Sequence, residues 1–197
     1  TVAALTGYRS HVDEKSYVIH VRDASHKMDV PAQSATYDGT GNLEGGSDIA
    51  GKRRPRALGW VNRVTPAPVL PSELLYQVNS GSVQAISAVY DNGSALTLDA
   101  NYASVILLRA ATLVPGEYAT CLAEGYFRLG GTPFGTITAT VEGDNSDGFV
   151  ETTAEIISFL VLEETAIVEA DIARNSFDLL DLDQPAPVGI YLGHESD

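Results

Sequence analysis

Lys52, Arg53, Arg54 and Arg56 stand within five positions, and the only tryptophan of the chain, Trp60, follows them closely. Guanidinium groups make planar, bidentate hydrogen bonds to carboxylates and phosphates. Arg and Trp are also the residue types most enriched at the energetic centres of protein interfaces. The chain holds 12 Lys plus Arg against 26 Asp plus Glu, a formal net charge of −14, so a third of its cations occupy one short stretch. Net acidity of this size repels phosphate at long range and argues against nucleic acid as a partner. A basic segment in an acidic chain instead complements an acidic protein surface, including that of a neighbouring copy. Lys52, Arg53, Arg54, Arg56 and Trp60 are therefore the expected interface residues; a solvated turn is the plainer alternative.

Other groups with chemical potential are scattered. "GTGNLEG" (39–45) resembles a dinucleotide-binding glycine loop, but its third glycine comes one residue late and no helix follows. "GGSDIAG" (45–51) lacks the glycine placement of a nucleophile elbow. His11, His20, His26 and His194 show no His-Glu-x-x-His spacing for zinc. Aligning "DNSDG" (144–148) on a calcium loop puts Gly143 and Ala154 where carboxylates are required. An Asx turn leading into a helix accounts for it better. Glu163 and Glu164 read as solvated charge on a helix. Cys121 is the single cysteine, so it forms no intramolecular disulfide and reads as a buried, inert thiol. No enzyme, cofactor or metal is expected from these residues.

The elements that must carry these side chains follow from periodicity. "SYVIHVRD" (16–23) alternates like a half-buried strand. Residues 37–59 hold six glycines and no apolar period, which predicts a long loop, mobile in an isolated subunit and contributing little to the fold. "VTPAPVLP" (64–71) predicts a stiff, extended crossing. Strand patterns follow at 74–79 and 83–91, joined as a hairpin through "SGS", with a turn at "DNG" (91–93). Further strands are predicted over 117–131 and 135–143, while 101–112 fits a strand or a short helix. Thr152 and Glu155 form a capping box ahead of an apolar stripe at Ala154, Ile157, Leu160 and Val161, the mark of a helix. A second helix is predicted over 169–182, with Ile172, Ser176, Phe177 and Leu180 on one face, and a last strand at "VGIYLG" (188–193).

The expected architecture is β-rich α+β: a small barrel or sandwich with a long glycine-rich loop, then a short helical segment and a final strand. It divides into a β segment over 1–30, the end of a preceding β-domain, a β-rich domain over 31–143, and a helical pair with a terminal strand over 144–197. Charge divides too: residues 1–66 carry a net +2 and residues 67–197 a net −16. No apolar run approaches the ~20 residues of a membrane helix. The start has neither a signal-peptide pattern nor an initiator Met, as expected of a processed chain or an excerpt of a longer one.

The segments "YDGTGNLEGGSDIAGKRRPRALGWVNRVTPAPV", "YQVNSGSVQAISAVYDNGSALT" and "GEYATCLAEGYFRLGGTPFGTITATVEG" together resemble tail proteins of bacteriophages and prophages, notably those of alphaproteobacteria. The likeness covers roughly 31–143 and continues weakly through "TAEII", "SFDLLD" and "PAPVGIYLG". It implies a virion component of the tail tip, baseplate hub or fibre base, made in the host cytoplasm. It also implies contacts with other tail proteins and copies of itself in a ring or trimer, and no catalytic residues. Gly51-Lys52-Arg53-Arg54-Pro55 is richer in arginine than the family's Gly-Lys-x-x-Pro, and Trp60 replaces a smaller residue, so the loop's partner here can differ. Two competing classes are a glycan-binding tail module, whose shallow site exposed Tyr and Trp would line, and a hydrolase whose triad the sequence does not display; Tyr90, Tyr118 and Tyr126 are available for the first, with β-packing as their plainer role.

Overall fold

The computed structural model describes residues 24–194; the strand expected at 16–23, with His11 and His20, lies outside them. Ten strands form two sheets: β1 (Arg56–Val64), β2 (Ala67–Leu70), β3 (Leu75–Gln77), β4 (Val83–Asp91), β5 (Ser94–Ala95), β6 (Thr97–Asn101), β7 (Glu117–Cys121), β8 (Tyr126–Leu129), β9 (Ile137–Asp144) and β10 (Gly189–Leu192). Their order is β10-β1-β9-β4-β5 in one sheet and β2-β3-β8-β7-β6 in the other. The fold is β-rich as expected, with two open sheets that make it a sandwich rather than a closed barrel.

Period-two alternation explains how one sheet serves two cores. Tyr118 and Phe127 face the first sheet, joining Val61, Val89, Ala139 and Val141 between the sheets. Their neighbours Ala119, Cys121 and Tyr126 point to the opposite face, into a second core. Helix α1 (Val105–Ala110) and the glycine-rich segment roof that second core with Val105, Leu108, Tyr37 and Ile49. Burial raises the Cys121 thiol pKa, as an inert core thiol requires.

Two expectations are corrected here. The segment 37–59 is not structureless: Tyr37 and Ile49 are buried, the backbone bonds itself through Gly51 N to Tyr37 O (2.8 Å) and Lys52 N to Ile49 O (3.1 Å), and β1 begins within it at Arg56. Its glycines supply left-handed turns; at Gly39, with φ of 70°, a Cβ would also meet Ala50 Cβ at 2.4 Å. The second correction concerns the "SGS" hairpin. β3 pairs with β2 and β8, whereas β4 pairs with β5 and β9, so this link crosses between sheets. The stiff crossing at 64–71 likewise carries the chain between sheets and includes the short strand β2. The "DNG" turn forms as expected, with Asn92 and Gly93 at φ of 48° and 85° closing the β4–β5 hairpin. The ambiguous stretch resolves into α1, capped by Ser104, whose hydroxyl accepts from Leu107 N.

Helix α2 (Thr153–Glu164) begins at the predicted capping box: Thr152 Oγ1 accepts from Glu155 N, and Glu155 Oε2 accepts from the Thr152 and Glu151 amides. Of the predicted stripe Ala154 is buried, but its buried companions are Ile156 and Ser158, and Ile157 points outward. The helix is apolar nearly all round, so its period could not select a face. α3 (Arg174–Asp183) starts later than predicted, after a separate 3₁₀ turn at Glu169–Asp171. Ile172 precedes it, and Phe177 and Leu180 are half-buried while Ser176 is exposed.

Thr152→Ala is expected to cost about 1 kcal/mol, the usual worth of an N-cap, measured by urea unfolding. Hydrogen bonds, first that from the Glu151 amide, hold the Glu155 carboxyl below its ordinary pKa. A depressed folded-state pKa contributes stability above the ordinary carboxylate range and loses it as pH falls through the folded value. The difference between wild type and Glu155→Gln should therefore shrink on acidification.

Candidate functional site

The basic stretch is a seam joining four parts of the chain. Residue 53 makes an isolated antiparallel bridge with Thr36, and the Arg53 guanidinium donates to Gln33 O. Lys52 is half-buried, and its carbonyl accepts from Tyr37 N at 3.0 Å. Arg54 donates to Glu44 Oε1 at 2.6 Å and to Thr36 O at 3.2 Å, with its guanidinium 4.6 Å from the Tyr37 ring centroid. Arg56 is 8% exposed and donates to Glu164 Oε1 at the end of α2, its guanidinium carbon 5.3 Å from the Phe159 ring centroid. Gln33 completes the seam: its Nε2 donates to Arg54 O at 3.0 Å and to Leu192 O at 2.8 Å, tying β10 to the segment.

Beside this seam lies a cavity of about 220 Å³ lined by Gln33, Arg54, Arg56, Asp144, Glu163 and Glu164. Asp144 closes it from β9. One carboxylate oxygen accepts from Asn79 Nδ2 at 2.9 Å; the other accepts from Ser146 N at 2.9 Å and from Ser146 Oγ at 2.5 Å. That is the Asx turn expected at "DNSDG". Asn79 is fully buried, and its Oδ1 accepts from Ala57 N at 3.0 Å, so one amide joins β1 to β9. Burial works against the Arg56 charge, and the carboxylates of Asp144 and Glu163 work in its favour.

In the core beneath, Tyr37 donates to Gln77 Oε1 at 2.5 Å, and burial pushes the Tyr37 hydroxyl pKa well up. Tyr126 alongside is pushed up to about 12, again chiefly by burial. Neither phenol is poised to exchange a proton near neutrality.

The structure brings the predicted cations together, but into the chain's own contacts. The expectation of a loop without local structure to hold it is overturned. Arg53, Arg54 and Arg56 would have to give up internal bonds to reach a neighbour. Glu164, expected as solvated charge, is instead half-buried in its pair with Arg56, whereas Glu163 is exposed. Trp60 behaves differently. It alternates with Ala57 and Val61 of the core, is 45% exposed, and is fixed by donation from its Nε1 to Glu151 Oε2 at 2.9 Å and by an edge contact with Phe149 at 6.0 Å. Gln33, Glu44 and Asn79 were not singled out from sequence, and Asp144 only as the head of an Asx turn. Only the polar type of Asn79 within an apolar strand pattern could have marked one of them.

Tyr118 and Tyr126 are buried in different cores, and Tyr90 lies under the Arg63 guanidinium at 4.0 Å, so the three tyrosines form no shared platform. Among the described residues, no group of three or more His, Cys, Asp or Glu side chains is arranged to hold a metal ion, and no helix is long and apolar enough to cross a membrane. In comparisons with known proteins, no family model, curated protein or solved structure matches this chain.

Proposed function

We propose that this chain is a structural component of a bacteriophage tail, at the tail tip, baseplate hub or fibre base, acting through protein–protein contacts with other tail proteins and copies of itself. The resemblance of residues 31–143 to such proteins motivates the reading. The observation that carries it is the division of labour within 51–60. The arginines make contacts within the chain, Arg56 binding α2 to the sandwich, while Trp60, held at its indole N–H by Glu151, is 45% exposed. A half-exposed, orientationally fixed Trp loses little freedom on docking and suits an interface anchor. Neither nucleic acid nor membrane has a part in this reading, given the net charge of −14.

The test compares tagged wild-type and Trp60→Ala chains in the strain that makes the particles, with mass spectrometry of purified particles as readout. Wild type should be incorporated. Trp60→Ala should melt within a few degrees of wild type, as surface changes do, yet be incorporated at least about tenfold less, as for an interface hot spot. Absence of the wild-type chain from particles contradicts the function. Equal incorporation of the variant contradicts the role of Trp60 alone.

A further inference from the structure

At the end of the sandwich formed by the β4–β5 turn, Phe134 is 96% exposed, the highest value among the large apolar side chains described. Its loop is nonetheless braced. Asp91, only 8% exposed, accepts from Phe134 N at 2.8 Å with one carboxylate oxygen and from Gly135 N at 2.9 Å with the other. Asn92 N donates to Thr136 O at 3.0 Å, carrying the β4–β9 ladder into the loop. Gly135 lies so close to Asn92 that a Cβ there would meet the Asn92 Cβ at 2.8 Å. Such bracing fixes the backbone that carries the ring, and an apolar side chain held in water on a fixed backbone is the usual mark of a docking anchor.

The ring borders a cavity of about 610 Å³ with Leu96, Pro115 and Leu129 on its apolar walls. Asp91 and Glu117 supply its charge, and no Lys or Arg lines it. An occupant must therefore offer an apolar group to the walls and a cation to the rim. A second copy of this chain is poorly suited, because at a net charge of −14 two copies repel each other. Every arginine among the described residues is also engaged internally: Arg53, Arg54 and Arg56 in the seam, Arg63 over Tyr90, Arg109 with Glu73 at 2.6 Å, Arg174 with Glu169, and Arg128 with the Leu108, Arg109 and Ala111 carbonyls.

We infer that Phe134 and the adjoining cavity form a docking site for a segment of a different protein, one that carries an apolar side chain next to Lys or Arg. The inference does not depend on the tail reading, since it follows from exposure, bracing and charge at this end alone.

The experiment is selection of a random dodecapeptide display library on the full-length chain, repeated on Phe134→Ala. The variant should keep the wild-type melting temperature, because the side chain makes so little contact with the fold. Peptides retained by wild type should be enriched in an aliphatic or aromatic residue adjacent to Lys or Arg. Synthetic versions should bind the variant at least about tenfold more weakly and lose affinity as salt rises. In nitrogen-15 NMR spectra they should shift the amides around 91–96, 113–117 and 130–136. Failure to enrich any peptide, enrichment without cations, or equal binding to Phe134→Ala would each overturn the proposal. So would a dimer in sedimentation that Phe134→Ala dissolves, because the occupant would then be a second copy.

Discussion

Arg56→Ala should lower the unfolding free energy by roughly 3 to 5 kcal/mol, the usual cost of removing one partner from a buried ion pair. For a chain of about 200 residues that corresponds to a fall of roughly 6 to 20 °C in melting temperature. The side chains of Arg56 and Glu164 are 10% and 11% exposed, so truncating the arginine strands a carboxylate where little water can reach it. The change also removes the stacking on Phe159 and the field that Asp144 and Glu163 share with the guanidinium. Exposed pairs in the same molecule set the contrast. Arg174→Ala, whose pair with Glu169 lies at the surface, should leave stability close to that of wild type. Urea unfolding of the two variants checks both. Replacing Arg56 and Glu164 together by Met and Leu should recover most of the loss, because neither charge is then left behind. A mild effect of Arg56→Ala would mean that the guanidinium is solvated and the seam weak.

Gly143→Ala is the second large effect. This residue sits in β9, between β1 and β4, and an added Cβ would come within 2.4 Å of Ala57 O and 2.7 Å of Leu58 Cα. Both are backbone atoms of a paired strand, so the sheet itself must part to admit one methyl group. A cost on the order of 3 kcal/mol or more is expected, at the upper end for overpacking. Gly148→Ala separates this cause from backbone strain. Its φ is 96°, but a Cβ there would meet nothing within 4 Å, and only about 1 to 2 kcal/mol of conformational cost is expected. Soluble yield and denaturant midpoints report both. Equal costs at the two sites would show that close approach of β1 to β9 does not govern the first.

What could be read in the sequence was local. The Asn92–Gly93 turn, the capping box at Thr152, the alternation of β9 and the Asx turn at Asp144 each depend on a few adjacent residues, and each is present. What could not be read was the partnering of distant segments. Arg56 and Glu164 lie 108 residues apart, and nothing near either one names the other. The glycine-rich stretch passed for a free loop because its two core residues, Tyr37 and Ile49, are too far apart to make a period. β1 was half hidden for a related reason: Arg56 and Gly59 break the apolar alternation, and both are there for contacts made elsewhere, with Glu164 and with the Val188 carbonyl. The hairpin assigned to 74–91 had suitable turn residues, but β3 finds its partner in β8, fifty residues on. The interface residues show the same limit. Their types announced strong contacts, and the types alone could not say that three of them are made within the chain.

The most direct test of the account is electron microscopy of particles released by the strain that encodes this chain, labelled with gold-conjugated antibody against it. Label confined to one end of the tail, at the tip or fibre base, is the predicted result. Label on the capsid, or none on particles from a strain shown to make the protein, would contradict the reading of this sandwich as a tail component.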